Sequence, residues 1–254
     1  MKRNLFAVLT LSVLLLSVPS CQNDELSTKQ NPFDLTSETG DLARNKIVVI
    51  SDLHFGADTS YSETVRHLPR LAQFLTEIRE SATVKELVIA GDMLDEWFVP
   101  SRIDTYNGGT QEDFVRKIGS QNRLVLDVLN AIIKDGKVKV SYTPGNHDLT
   151  IPEAFVSAIL PGINQARDAG KLGLGTYHPD GYPQIAIQHG HRYDFFCSPD
   201  PYSNQDLAPG SILPPGYFFT RIAVNSLTNF PSPSEITPVR SVALNSTDET
   251  QVNS

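Results

Sequence analysis

Val138-Lys139-Val140-Ser141-Tyr142-Thr143-Pro144-Gly145-Asn146-His147-Asp148, residues 138–148, changes character halfway along. Val138, Val140 and Tyr142 alternate with Lys139 and Ser141, the period of a half-buried β-strand, and Pro144-Gly145 then ends the strand and opens a loop of groups able to hold a cation or move a proton. The same junction recurs upstream. Ile47-Val48-Val49-Ile50 is a continuous β-branched run, as expected for a strand buried on both faces, and it opens into Ser51-Asp52-Leu53-His54. Leu87-Val88-Ile89-Ala90 ends in Gly91-Asp92, and Ile185-Ala186-Ile187, a shorter fourth candidate, ends in Gln188-His189-Gly190-His191.

Helical spacing fills the gaps between these strands. Pro69 suits a first helical turn, and Leu71, Leu75 and Ile78 follow at helical intervals. Phe114, Ile118, Val125, Val128, Leu129 and Ile132 fall near one face of a second helix, which Gly136 is placed to stop. Strand and helix in alternation imply an α/β architecture, in which ligands gather beyond the carboxyl ends of the strands. All four polar clusters belong there.

Composition narrows the chemistry. The chain has 254 residues, 40% hydrophobic and 20% charged, enough for one sizeable core. Its net charge of -8 argues against electrostatic capture of a nucleic-acid backbone, so no nucleic-acid-binding surface is expected. Two cysteines, Cys21 and Cys197, cannot form a disulfide framework or a structural zinc site, so any metal must be held by His, Asp, Glu or Asn.

The ends read differently from the middle. Lys2 and Arg3 precede an apolar run over residues 5–18, short for a membrane-spanning helix and suited to a signal peptide over 1–20. Val18-Pro19-Ser20-Cys21 resembles a bacterial lipobox, although Pro19 departs from the pattern. Lipidation of Cys21 would make this an extracytoplasmic membrane lipoprotein; the alternative is cleavage nearby with Cys21 incidental. Residues 21–45 have the polar composition of a tether, 46–230 should form the domain, and 231–254 make a polar tail where a further sheet would be expected, so that the domain looks cut short.

Taken singly, a Gly-Asp or Asp-x-His at a strand end is ordinary turn chemistry. Asp52-x-His54, Gly91-Asp92, Gly145-Asn146-His147-Asp148 and His189-x-His191, each directly after a strand, instead supply what two divalent ions about 3.5–4 Å apart require: oxygen and imidazole ligands from several rigid elements, and a carboxylate able to bridge. Such a pair activates water and neutralises a phosphate ester, so phosphoester hydrolysis is the expected reaction. His147, between strand end and metal pair, is placed to donate a proton to the departing oxygen.

The order D-x-H, G-D, G-N-H-D, H over about residues 46–195 resembles the calcineurin-like metallophosphoesterase family. The resemblance implies a sandwich of β-sheets flanked by helices. It makes Asp52 and His54 ligands of a first metal, Asp92 the bridge, Asn146 and His189 ligands of a second, and His147 the acid beside the leaving group. The metals would be manganese, iron or zinc and the partner a phosphoester substrate, with membrane contact through the N-terminal lipid. Asp148 either orients the His147 ring or caps a helix in the following segment, and His191 is read as an outer-layer or substrate-facing residue. His67 and His178 are read as surface residues.

One family element, Gly-His-x-His, has no counterpart unless His189 and His191 are that pair, a spelling that Gln188 spoils. The rival reading is therefore a non-catalytic or defective lipoprotein that keeps the fold. Gly91-Asp92-Met93-Leu94-Asp95-Glu96-Trp97 is similar to the corresponding region of UDP-2,3-diacylglucosamine hydrolases, which implies a phosphodiester or pyrophosphate branch; the plainer reading is that Trp97 and Phe98 pack the loop. Asp95 could serve as a partner of a ligand histidine. Tyr217, Phe218, Phe219, Ile222, Ala223 and Leu227 read as a core helix in preference to a lipid-accepting groove.

Overall fold

The computed structural model describes residues 31–34, 43–168 and 175–229. The leader, Cys21, most of the 21–45 tether and the 231–254 tail lie outside the described residues. Four parallel strands form one sheet in chain order: β1 (Lys46–Ile50), β2 (Val84–Ala90), β3 (Lys139–Thr143) and β4 (Asn164–Gln165). Register sets Val49 opposite Val88 and Ile50 opposite Ile89, while Ile89 faces Tyr142 and Ala90 faces Thr143 across the next pair. Because the strands are parallel, the first three polar clusters leave the sheet at one edge.

The crossovers are helical, as parallel pairing requires. Helix α1 (Leu68–Glu80) carries Pro69 in its first turn and buries Leu68, Ala72, Leu75 and Ile78 on one stripe. It packs against α3 (Arg123–Asp135), which buries Val125, Leu126, Leu129 and Ile132 and ends at Gly136 in the left-handed conformation. Helix α2 (Gln111–Gln121), started by the reciprocal Thr110 and Asp113 capping box, packs against α4 (Glu153–Ile159).

Four expectations need correction. The single helix read from Phe114 to Ile132 is two, because Asn122 leaves helical geometry and turns its buried side-chain amide to the carbonyls of Gly56 and Ile118, each at 2.9 Å. Strand β1, expected to be buried on both faces, is the edge of the sheet, and Val49 is 48% exposed. Ile185-Ala186-Ile187 makes only one antiparallel bridge, Ile187 with Tyr177, and the fourth strand of the sheet is Asn164–Gln165, too short and polar to show a period. Helix α5 (Pro215–Asn229) is not a core helix: Phe218, Phe219 and Ile222 are 53%, 64% and 61% exposed, while Val224 is buried. Among the described residues no helix is long and apolar enough to cross a membrane.

Candidate metal centre

The loops that follow β1 and β2 continue side by side after the regular strands end. Asp52 N–H donates to the Gly91 carbonyl at 3.2 Å, His54 N–H to that of Asp92 at 2.9 Å, and Phe55 N–H to that of Met93 at 2.9 Å. Asp95 N–H returns to the Phe55 carbonyl at 3.1 Å. This zip sets Asp52, His54, Asp92 and Asp95 together. It holds Asp52, His54 and Asp92 at φ of 56°, 47° and 50°, a region that costs non-glycine residues energy and that concentrates at functional sites.

The loop after β3 closes over this pair. Asp148 accepts from Gly145 N–H at 2.7 Å within its own loop and from Met93 N–H and Leu94 N–H at 2.8 and 3.1 Å in the β2 loop. Asp92 Oδ1 in turn accepts from His147 N–H at 2.8 Å. The approach is so close that a Cβ on Gly145 would overlap Asp92. On the other side, a Cβ on Gly91 would come within 2.5 Å of the His189 ring, so this glycine admits the fourth cluster. Asp148 therefore staples two loops: it neither reaches the His147 ring nor caps α4, whose preceding residue is Pro152.

Hydrogen bonds at one nitrogen aim the other nitrogen of each histidine. His189 Nδ1 lies 2.8 Å from the Ala90 carbonyl, which leaves Nε2 facing Asp92 Oδ2 at 3.2 Å and Asn146 Oδ1 at 3.1 Å. His54 Nδ1 lies 3.0 Å from Asp95 Oδ2, and its Nε2 faces Asp52 at 3.7 Å and Asp92 at 3.8 Å. Asp95 Oδ1 also meets His147 Nδ1 at 2.8 Å and accepts from the backbone N–H of Trp97 and Phe98, both at 2.8 Å. One buried carboxylate thus orients two histidines. His54, Asp92 and His147 present donor atoms within 4.8 Å of one another, and so do Asp52, Asp92 and His189, with Asp92 common to both groups.

Charge follows from this geometry. Burial opposes a charge on His54, yet the hydrogen bond to Asp95 and the negative charges of Asp95, Asp92 and Glu63 push the imidazole up to about 9. Burial also opposes a charge on His189, but the bond to Asp92, its charge, and the Ala90 carbonyl raise it to about 9. Asp95, despite burial, is held well below the usual carboxylate range by His147 and His54. Burial and the charge of Asp92 lift Asp148 to about 6, against the pull of the backbone N–H groups it accepts.

Every residue singled out around the strand ends, except Cys21, falls among the described residues. Asp52, His54, Asp92, Asn146, His147 and His189 converge on one spot. His191 is buried beside them, its ring centroid 5.4 Å from that of His189 at 42°, and it belongs to neither donor group. His67 and His178 are exposed. Two further participants went unread: Glu63, whose carboxylate lies 3.9 Å from His54 Nδ1 and groups with Asp95, and the stack of Trp97 on His147. Neither carries a spacing signal, since Glu63 sits in a 3-10 turn, Glu63–His67, and the Trp97 contact crosses between loops.

A crystal structure of the nuclease MPE of Pseudomonas putida is similar at 23% identity and a TM-score of 0.28, over 48% of this chain and 48% of that one. No curated protein matches the chain. Residues 45–237 match the family model described as calcineurin-like phosphoesterase, and with acidic and imidazole donors gathered at the ends of its parallel strands the chain belongs to the calcineurin-like phosphoesterase family.

Proposed function

We propose that the chain hydrolyses phosphoesters with two divalent cations held by Asp52, His54, Asp92, Asn146 and His189. The observation that carries this reading is the Asp92 carboxylate, common to two donor groups, one with His54 and His147 and one with Asp52 and His189. The donors fit such ions: carboxylate, amide oxygen and imidazole suit manganese, iron or zinc, and two imidazoles already stand against carboxylates that favour positive charge. When bound, two such cations would activate water and neutralise the phosphate oxygens.

The chain's own groups do the rest. Asp95 and the Ala90 carbonyl set the tautomers of His54 and His189, so that a ring nitrogen of each faces Asp92. His147 is anchored through Nδ1 to Asp95, which leaves Nε2 as the atom that gives a proton to the departing oxygen. A second role for His147, as a cation donor, is favoured by its place in the group with His54 and Asp92. Metal content of a His147 variant separates the two roles.

The finer reading places this hydrolase outside the inner membrane, anchored by lipid on Cys21, and is supported by the basic, apolar and lipobox-like order of residues 2–21. Incorporation of labelled fatty acid that Cys21→Ser abolishes is the expected result. A preference for phosphodiesters or pyrophosphates over monoesters is supported by the likeness of residues 91–97 to UDP-2,3-diacylglucosamine hydrolases. The test of the whole is the purified full chain assayed with manganese, zinc or iron against aryl phosphomonoesters and phosphodiesters. Metal-dependent turnover is expected; a folded protein without it supports the non-catalytic lipoprotein instead.

A further inference from the structure

We infer that Trp97 is a positioning residue for His147, fixing the plane of the imidazole so that Nε2 meets the leaving oxygen; this rests on the reading of His147 as the proton donor. The hydrogen bond from His147 Nδ1 to Asp95 fixes one point of the ring and leaves it free to swing about that bond. The indole removes that freedom: the two rings stack with centroids 4.3 Å apart and planes 22° from parallel. His54 meets the same imidazole in a T-shaped contact at 4.5 Å and 81°, so the ring is held by two neighbouring rings and at one nitrogen.

Trp97 is itself held. It is 2% exposed, and its backbone N–H donates to the same Asp95 oxygen that meets His147. From α5, Tyr217 packs edge-on against the indole at 5.9 Å and 84°, and Gly216 lies so near that an added Cβ would be 3.3 Å from Cζ3. Arg221 secures Tyr217 with a hydrogen bond to its hydroxyl at 2.8 Å while donating to the carbonyls of Pro100 and Ile103 at 3.1 and 2.7 Å. A loop packed only for burial needs neither near-parallel rings nor a carboxylate common to both partners.

The chain contains a single tryptophan, so its fluorescence reports this contact without any metal or substrate. The emission of an indole responds to the removal of a ring stacked against it. In the metal-free full chain, His147→Asn is expected to change the emission of Trp97 in intensity or wavelength, and unchanged emission would overturn the stack itself. In the metal-loaded chain, Trp97→Leu is expected to lower kcat for an alkyl phosphoester about tenfold, the loss of one ring stack of ordinary strength, with KM and metal content unchanged. A nitrophenyl ester, whose leaving group needs no proton, should lose much less, and Trp97→Phe, which keeps a planar ring, should recover most of the alkyl-ester rate. Tyr217→Leu, which disturbs the indole from outside, should show the same leaving-group pattern more weakly. Equal losses on both esters, or a Phe variant no better than Leu, would reduce Trp97 to a structural part and overturn the inference. Absence of turnover in the unmodified chain would instead strike the proton-donor reading, with the fluorescence result standing separately.

Discussion

The stretch that builds the sheet and the stretch that follows it are held by different forces. Every buried member of the main apolar cluster among the described residues lies between Leu53 and Ile163, whereas residues 175–229 bury Tyr177, Ile212 and Val224 and leave Phe195, Phe196, Phe218 and Phe219 exposed. Yet His189 comes from the second stretch and stands against Asp92 and Asn146 of the first. Its attachments are polar: the Ala90 carbonyl, Asp92 and Asn146. The donor set therefore joins a frame stabilised by apolar burial to a segment attached to it largely by polar contacts, at the site and also from Tyr177 to Glu86, from Lys139 to Asp180 and from Arg221 to the carbonyls of Pro100 and Ile103, and cations bound at the site would add to that tie.

Removing the group common to both halves should have the largest effect. Asp92→Asn keeps size but loses the charge that two donor groups share, and it is expected to lose at least one metal and nearly all turnover; elemental analysis beside steady-state rates checks this. His147→Asn, confined to the first stretch, should lower turnover by about 10²–10⁴-fold and leave metal content near that of the unmodified chain. Equal metal loss in both variants would make His147 a ligand and remove the distinction.

Stability tests the contrast in packing. Leu75→Ala empties a fully buried site in α1 and should cost about 2–5 kcal/mol by denaturant unfolding. A pH series on the metal-free protein comes next. Because His54 and His189 are raised from 6.5 to about 9 in the folded state, their contribution to stability is complete below about 6.5 and is lost as pH rises through about 9. The melting temperature should fall across that window, and His189→Asn should flatten the fall, since it removes the group contributed by the second stretch. Smallest of all, Phe219→Ser on the exposed face of α5 should change stability by no more than about 0.5 kcal/mol. A loss comparable to that of Leu75→Ala would mean that the second stretch has a core of its own.

Much of the frame is legible in residue order because it depends on near neighbours. Alternation over residues 138–142, Pro69 in a first turn and Gly136 in a left-handed cap are local rules, and they place β3, the start of α1 and the end of α3. The polar clusters are legible for the same reason, since a strand that ends in Asp-x-His or Gly-Asn-His-Asp announces where its loop begins. Parallel pairing then brings the first three to one edge. The remainder depends on partners far away in the chain. Asn122 breaks a helix because its amide meets Gly56, 66 positions distant, and Asp148 becomes a staple because Met93, 55 positions distant, offers a buried N–H. Val49 and Phe219 have the composition of core residues, but one lies on an edge strand and the other on an outer helix face, positions that periodicity does not encode. The stack of Trp97 on His147, 50 positions distant, depends on the same kind of contact. A side chain's type limits what it can bond or bury, but only the packed chain decides which group stands within its reach.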